Sequence, residues 1–227
     1  MTRSLCRISS ARYQCDFAMC DTPSPARRNR PVASGANPDT PHAGFTAAQP
    51  AGGGTTPQGG PRLSGWPRQL AWSDFTDIQS RPSGESEDAT IAMAMHPGRL
   101  RFLEEGGQHR LGDVAFQMLL NEAGTWVVAS AKTAELLRHE QGHYDIVGLC
   151  YRDMVNEIRA LRERSRNRLV RAIRRVMSAH DRRADSLTRD YDSEQQTNHG
   201  RNSARQQAWN QQIESCRRSG ARLSVPD

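Results

Sequence analysis

One run of the chain restricts its fold more than any other. Ile146, Val147, Leu149, Cys150, Met154, Val155, Ile158 and Leu161 recur at intervals of three and four, the spacing that lines one face of an α-helix. A helix with such a stripe is stable only when a second layer covers it. Upstream, Thr133-Ala134-Glu135-Leu136-Leu137-Arg138 is rich in helix formers, and Ser130 is a plausible N-cap. The expected helix therefore carries His139-Glu140-Gln141-Gly142-His143 near its start. Histidines four residues apart are separated by about 400° of rotation and about 6 Å of rise, so both imidazoles reach one metal ion. The glutamate beside the first histidine completes the H-E-x-x-H pattern of zinc metallopeptidases. The competing reading is a surface helix that carries two histidines by chance; the helical setting and the intervening glutamate favour the metal site.

A catalytic zinc takes three protein ligands and leaves a position for water. His139 and His143 supply two, and Glu140 is the expected general base, outside the ligand set. The third donor must come from elsewhere. Six residues after His143 stands Leu149, which removes the metzincin arrangement. Glu157 lies about 21 Å along the same continuous helix, and Asp145 points off the histidine face. His199 is the expected third ligand, with Gly200 permitting a close backbone approach; Glu194 is the alternative, with Asp192 behind it. A carboxylate that does not ligate is expected to hold a ligand histidine. His96, His109 and His180 stand in polar settings and are expected to be solvated. Tyr191 could donate to an oxyanion, but packing with its hydroxyl outward is the commoner use. The resulting expectation is a peptidase with a Zn2+ cofactor, acting on protein or peptide by metal-activated water. An edge strand before the motif helix would be available to pair with an extended substrate.

Composition divides the chain. Residues 1–65 contain eight proline and eight glycine residues, a mixture that buries too little apolar surface to offset chain entropy. They are expected to form a disordered extension, followed by a metallopeptidase domain over 66–216 and a frayed tail over 217–227. Within the domain, Leu70–Phe75, Ala89–Met95, Leu100–Leu103 and Asp113–Leu120 have the patterning of short strands, the last with Val114, Phe116 and Met118 on one face. Residues 124–129 lead into the motif helix, 162–168 read as a polar helical continuation, and Trp209 and Ile213 dock a last helix. The fold class is α+β: a small, mostly antiparallel sheet, then the motif helix and further C-terminal helices.

The formal net charge is +6, and a single lysine, Lys132, stands among 31 basic residues. Between residues 152 and 189 there are 12 arginines against 5 acids. That segment suggests an alternative function, binding of nucleic acid or an anionic surface. No aromatic residues interleave with the arginines to stack on bases, which favours a solvated, ion-paired face and argues against nucleic acid. A non-catalytic binding module that uses zinc structurally is the other alternative. No apolar run is long enough for a membrane-spanning helix. The N-terminus lacks the apolar core of a secretory signal, and the compartment stays open. The five cysteines include no Cys-x-x-Cys pair, so a thiolate zinc site is not expected, and Cys150 on the apolar stripe reads as a small buried hydrophobe.

Several segments together resemble a known family. Trp126-Val127-Val128 and Leu136-Leu137-Arg138-His139-Glu140-Gln141-Gly142-His143-Tyr144-Asp145-Ile146 are similar to the core of domain-of-unknown-function family 922, bacterial proteins viewed as secreted zinc-dependent proteases. Trp72-Ser73-Asp74-Phe75 resembles that family's start. Tyr191-Asp192-Ser193-Glu194, Thr197-Asn198-His199-Gly200, Gln206 and Trp209 resemble a later segment, with Gln195-Gln196 inserted. The resemblance spans about residues 66–216 and implies a zincin-like fold.

Overall fold

The computed structural model describes residues 59–227; residues 1–58 of the expected extension, with Cys6, Cys15 and Cys20, lie outside the described residues. The order of elements is β1 (Arg62–Ser64), β2 (Thr76–Ile78), β3 (Ala89–Thr90), β4 (Met93–Pro97), β5 (Phe102–Glu105), β6 (Gln108–Leu111), β7 (Ala115–Leu120), β8 (Trp126–Val128), α1 (Ala134–Ala160), α2 (Arg166–Asp192) and α3 (Ser203–Ser219). The class is α+β, as expected, but the strands form three small sheets rather than one. In the first, β7 lies between β1, parallel to it, and β4, antiparallel. In the second, β8 lies between β2, parallel, and β3, antiparallel. The third is the β5–β6 hairpin, turned by Gly106 and Gly107, both at positive φ. The sheets are thus mixed, because β1 and β2 enter from a distance instead of through hairpins.

Alternation works where the sequence has it. Phe116 and Met118 of β7 are buried beside Val114, and Met93 and Met95 of β4 are buried opposite them. All join the α1 stripe in one hydrophobic core. The run Ala89–Met95, expected as one strand, divides between two sheets. The Thr125 hydroxyl accepts from the Ala92 backbone N–H at 3.1 Å and lies 3.3 Å from its carbonyl, so the chain changes partners there. Residues 70–75, also expected as strand, instead form a 3-10 turn at Trp72–Asp74, where Asp74 Oδ2 accepts from the Ala71 backbone N–H at 2.9 Å.

The helices dominate the molecule. The N-cap of α1 is Thr133 rather than Ser130: its hydroxyl accepts from the Leu136 N–H at 3.1 Å. The helix does not continue through residues 162–168. It stops at Ala160; the linker pairs with β6 through His109 and Glu163 backbone bonds of 2.6 and 3.0 Å, and Ser165 caps α2. The two 27-residue helices lie antiparallel, since Glu157 meets His180, Cys150 meets Arg183 and His139 meets Tyr191. His180, expected in solvent, is buried, with Nε2 2.9 Å from Glu157 Oε2. The helix crossing covers it.

Both expected boundaries shift. Residues 62–64 are strand β1 rather than extension, paired to residues 115–117. The tail expected to fray over 217–227 is held: Leu223 is buried, Arg152 donates to the carbonyls of Cys216 and Ala221 at 2.7 Å each, and Arg183 donates to that of Leu223. Cys150 and Cys216 are free and buried, and burial pushes the Cys150 thiol up to about 11. Among the described residues, no helix is long and apolar enough to cross a membrane.

Candidate metal centre

The antiparallel crossing brings the start of α1 against the last turn of α2. Gly142 makes the contact possible, because a Cβ there would overlap the Tyr191 hydroxyl. Tyr191 lies between the histidines and α3. Its ring stacks on His139 at 4.7 Å and 8°, meets His143 edge-on at 4.9 Å, and meets Trp209 edge-on at 5.3 Å. Its hydroxyl points inward and donates to the His139 carbonyl at 3.1 Å. The next residue, Asp192, then projects between the two imidazoles. Asp192 Oδ1 is 3.2 Å from His139 Nε2 and 2.9 Å from His143 Nε2. All three side chains are buried, and their candidate ligand atoms lie within 4.8 Å of one another.

Hydrogen bonding sets the chemistry of these donors. His139 Nδ1 faces Gln206 Oε1 at 3.1 Å. Gln206 is oriented in turn, since its amide nitrogen donates to Tyr191 Oη at 2.5 Å and to Asn210 Oδ1 at 3.0 Å. The amide oxygen is only an acceptor, so Nδ1 carries a proton and Nε2 is the ring atom that faces Asp192. Asp192 Oδ1 makes no hydrogen bond of acceptable geometry despite its burial. Two imidazole nitrogens and a carboxylate oxygen that converge in a buried site are held together either by shared protons or by a cation. Tetrahedral zinc ligands at about 2.0–2.1 Å are about 3.3–3.4 Å apart; the two Nε2–Oδ1 separations, 3.2 and 2.9 Å, are slightly shorter, and all three atoms lie within 4.8 Å of one another. The residues therefore fit a small divalent ion bound by two imidazoles and a carboxylate.

Charge around the centre is uneven. Burial alone would raise the Asp192 carboxyl, but the imidazoles of His143 and His139 outweigh it and hold the group well below the usual carboxylate range. Glu140 behaves oppositely: burial raises it, the nearby His139 only partly offsets this, Asp192 and Glu87 add repulsion, and the result is about 7. Glu140 is thus poised to exchange a proton near neutrality.

His199 is not brought into this group. Its Nδ1 lies 3.3 Å from Glu87 Oε1, and the backbone explains why. Asn198, His199 and Gly200 all have positive φ, at 47, 55 and 78°. That turn folds back onto α2, the His199 N–H bonding to the Asp192 carbonyl at 3.3 Å. It places Gly200, not the His199 ring, against His139, where a Cβ would stand 3.2 Å from the imidazole. The close approach expected of Gly200 is therefore real, whereas the side chain that joins His139 and His143 in the candidate group is Asp192. Glu194, the alternative, is exposed past the end of α2. The position of Asp192 depends on where α2 ends, which spacing alone does not reveal. Gln206 and Glu87 received no role from the sequence. Glu87 stands in a polar loop without a pattern; Gln206 stood in the segment resembling the family, a signal that did not say what it would bond. β8, which leads toward α1, is central in its sheet; β2 and β3 hold the outer positions.

Residues 123–200 match the model of a family described as Bacterial protein of unknown function (DUF922). The matched segment runs from just before β8 to the His199 turn and includes His139, Glu140, His143 and Asp192. Residues 72–75, Gln206 and Trp209 lie outside it. Neither a curated protein nor a solved structure matches the chain.

Proposed function

We propose that the domain built around the matched segment 123–200 is a zinc-dependent peptidase that hydrolyses amide bonds, on a zincin-like plan of motif helix and carboxylate-bearing second helix. The observation that carries this reading is the convergence of His139, His143 and Asp192 beside a buried Glu140 raised to about 7. Two imidazoles and one carboxylate are a donor set of known catalytic zinc sites, which keep a fourth position open. When bound, zinc supplies Lewis acidity and lowers the pKa of a coordinated water to about 7.

The chain's own residues do the rest. Gln206 fixes the His139 tautomer, and Tyr191 holds the ring in place by stacking. Glu140 takes a proton from the attacking water at a carboxylate oxygen. It returns that proton to the leaving nitrogen as the C–N bond breaks, so the enzyme ends in its starting state. Burial strengthens this carboxylate as a base for the first transfer.

Purified protein is expected to contain about one equivalent of zinc by metal analysis and to hydrolyse a denatured protein such as casein. Glu140→Gln should keep the metal while turnover falls about 10²–10⁴-fold, the usual contribution of a general base. Asp192→Ala should lose the metal and His199→Ala should keep it. Zinc kept in Asp192→Ala and lost in His199→Ala would restore His199 as the ligand. Stoichiometric zinc without hydrolysis would leave a non-catalytic metal-binding module.

A further inference from the structure

The arginines between residues 152 and 189 divide into two groups. Some are held by the fold. Arg152 and Arg183 clamp tail carbonyls, Arg159 donates to the Pro61 carbonyl at 3.0 and 2.6 Å, Arg162 caps the end of α1 through the carbonyls of Arg159 and Leu161, and Arg166 lies 4.6 Å over the Phe102 ring. Arg168, Arg171 and Arg175 differ. All three are exposed, and their guanidinium groups make no hydrogen bond or ion pair among the described residues. With Glu163 they line a surface cavity of 390 Å³. Steps of three and four put them on one face of α2 over about 10 Å. α2 contains no acid before Asp181, and Arg168 sits in its first turn, where the helix dipole adds positive potential.

We propose that this cavity binds the phosphoryl group of a phosphorylated ligand. Three guanidinia against one carboxylate leave two positive charges, which match a phosphate dianion. The planar fork of arginine suits phosphate oxygens. Among the described residues the lining has no apolar side chain, so a hydrophobic ligand gains nothing there, and its concavity suits a compact headgroup better than a flat surface. Arg175 and Asp192 are about 25 Å apart along α2, so the site is separate from the metal centre.

The test is calorimetric titration of inorganic pyrophosphate into the metal-free full chain at low ionic strength, beside sedimentation with vesicles containing phosphatidic acid. Arg168→Gln/Arg171→Gln should weaken binding by at least about tenfold, since each charge-assisted contact is worth about that much. Glu163→Gln should strengthen it. Arg182→Gln, on the same helix outside the cavity, should change it less than about twofold, because its distance from the ligand leaves only screened attraction. Unchanged melting temperatures would show that the exposed substitutions leave the fold intact. Pyrophosphate binding lost in the double variant assigns a soluble phosphorylated ligand; vesicle binding alone, lost in the same variant, assigns a lipid headgroup. Binding that survives in the double variant, equal losses in Arg182→Gln, or no binding to either probe overturns the proposal.

Discussion

At Asp192, burial and the two neighbouring imidazoles act against each other, and the imidazoles win. The same balance makes the neighbours sensitive to small changes. Gln206 touches no proposed ligand atom of the metal, yet it holds the proton on the far nitrogen of His139. Gln206→Leu is expected to weaken zinc affinity about 10–100-fold, the usual loss when an outer partner of a ligand histidine is removed, measured by competition with a chromogenic chelator. Unaltered affinity would show that the tautomer is set without it. Glu140 gives a pH-dependent prediction for the metal-free protein. Its carboxyl ionises near 4.5 when free but near 7 in the fold, so its contribution to stability is complete below about pH 4.5 and is lost as pH rises through 7. Glu140→Gln should therefore be more stable than wild type at pH 8, by about 3 kcal/mol at most, with the advantage narrowing toward pH 4.5. Denaturant titrations at the two pH values check the sign; an advantage that grows as pH falls would reverse it.

The centre is a property of the α1–α2 crossing, which Gly142 allows by leaving room for Tyr191. Gly142→Ala should separate the helices there, destabilise the fold by about 1–3 kcal/mol as overpacking does, and lower zinc content in proportion to the displacement of Asp192. Thermal denaturation with metal analysis tests both; an alanine tolerated without loss of either would mean the helices shift freely. Much of this arrangement was legible. The spacing of Ile146 to Ile158 announces α1, and the H-E-x-x-H register places both imidazoles on one face. The break at residues 161–165 was not legible, because Arg162 to Arg168 is polar enough for either helix or linker, and backbone pairing with His109 decided it. The division of Ala89–Met95 was hidden for a similar reason: a single hydroxyl from Thr125 redirects an otherwise continuous alternation. His199 was favoured by residue type and a following glycine, but a turn of three left-handed residues sends its ring toward Glu87 instead.

Over the whole molecule, distant segments are tied to the helical pair by arginines. The C-terminal segment is the clearest case, with Leu223 buried and two guanidinia holding its carbonyls. Composition suggested fraying there because carbonyl clamps leave no mark in the clamped sequence. Truncation after Gly220 is expected to lower stability by at least about 2 kcal/mol, from the lost leucine burial alone, with a lower thermal midpoint as the readout; an unchanged midpoint would show that the clamps are incidental. The candidate ligands are far apart along the chain. His139 and His143 belong to one helix and Asp192 to the end of the next, with α3 needed to bring Gln206 alongside. During synthesis the imidazoles emerge from the ribosome long before the aspartate, so a nascent chain holds at best a two-armed chelate. A cation that requires all three donors would therefore be captured only once the helical hairpin has shut.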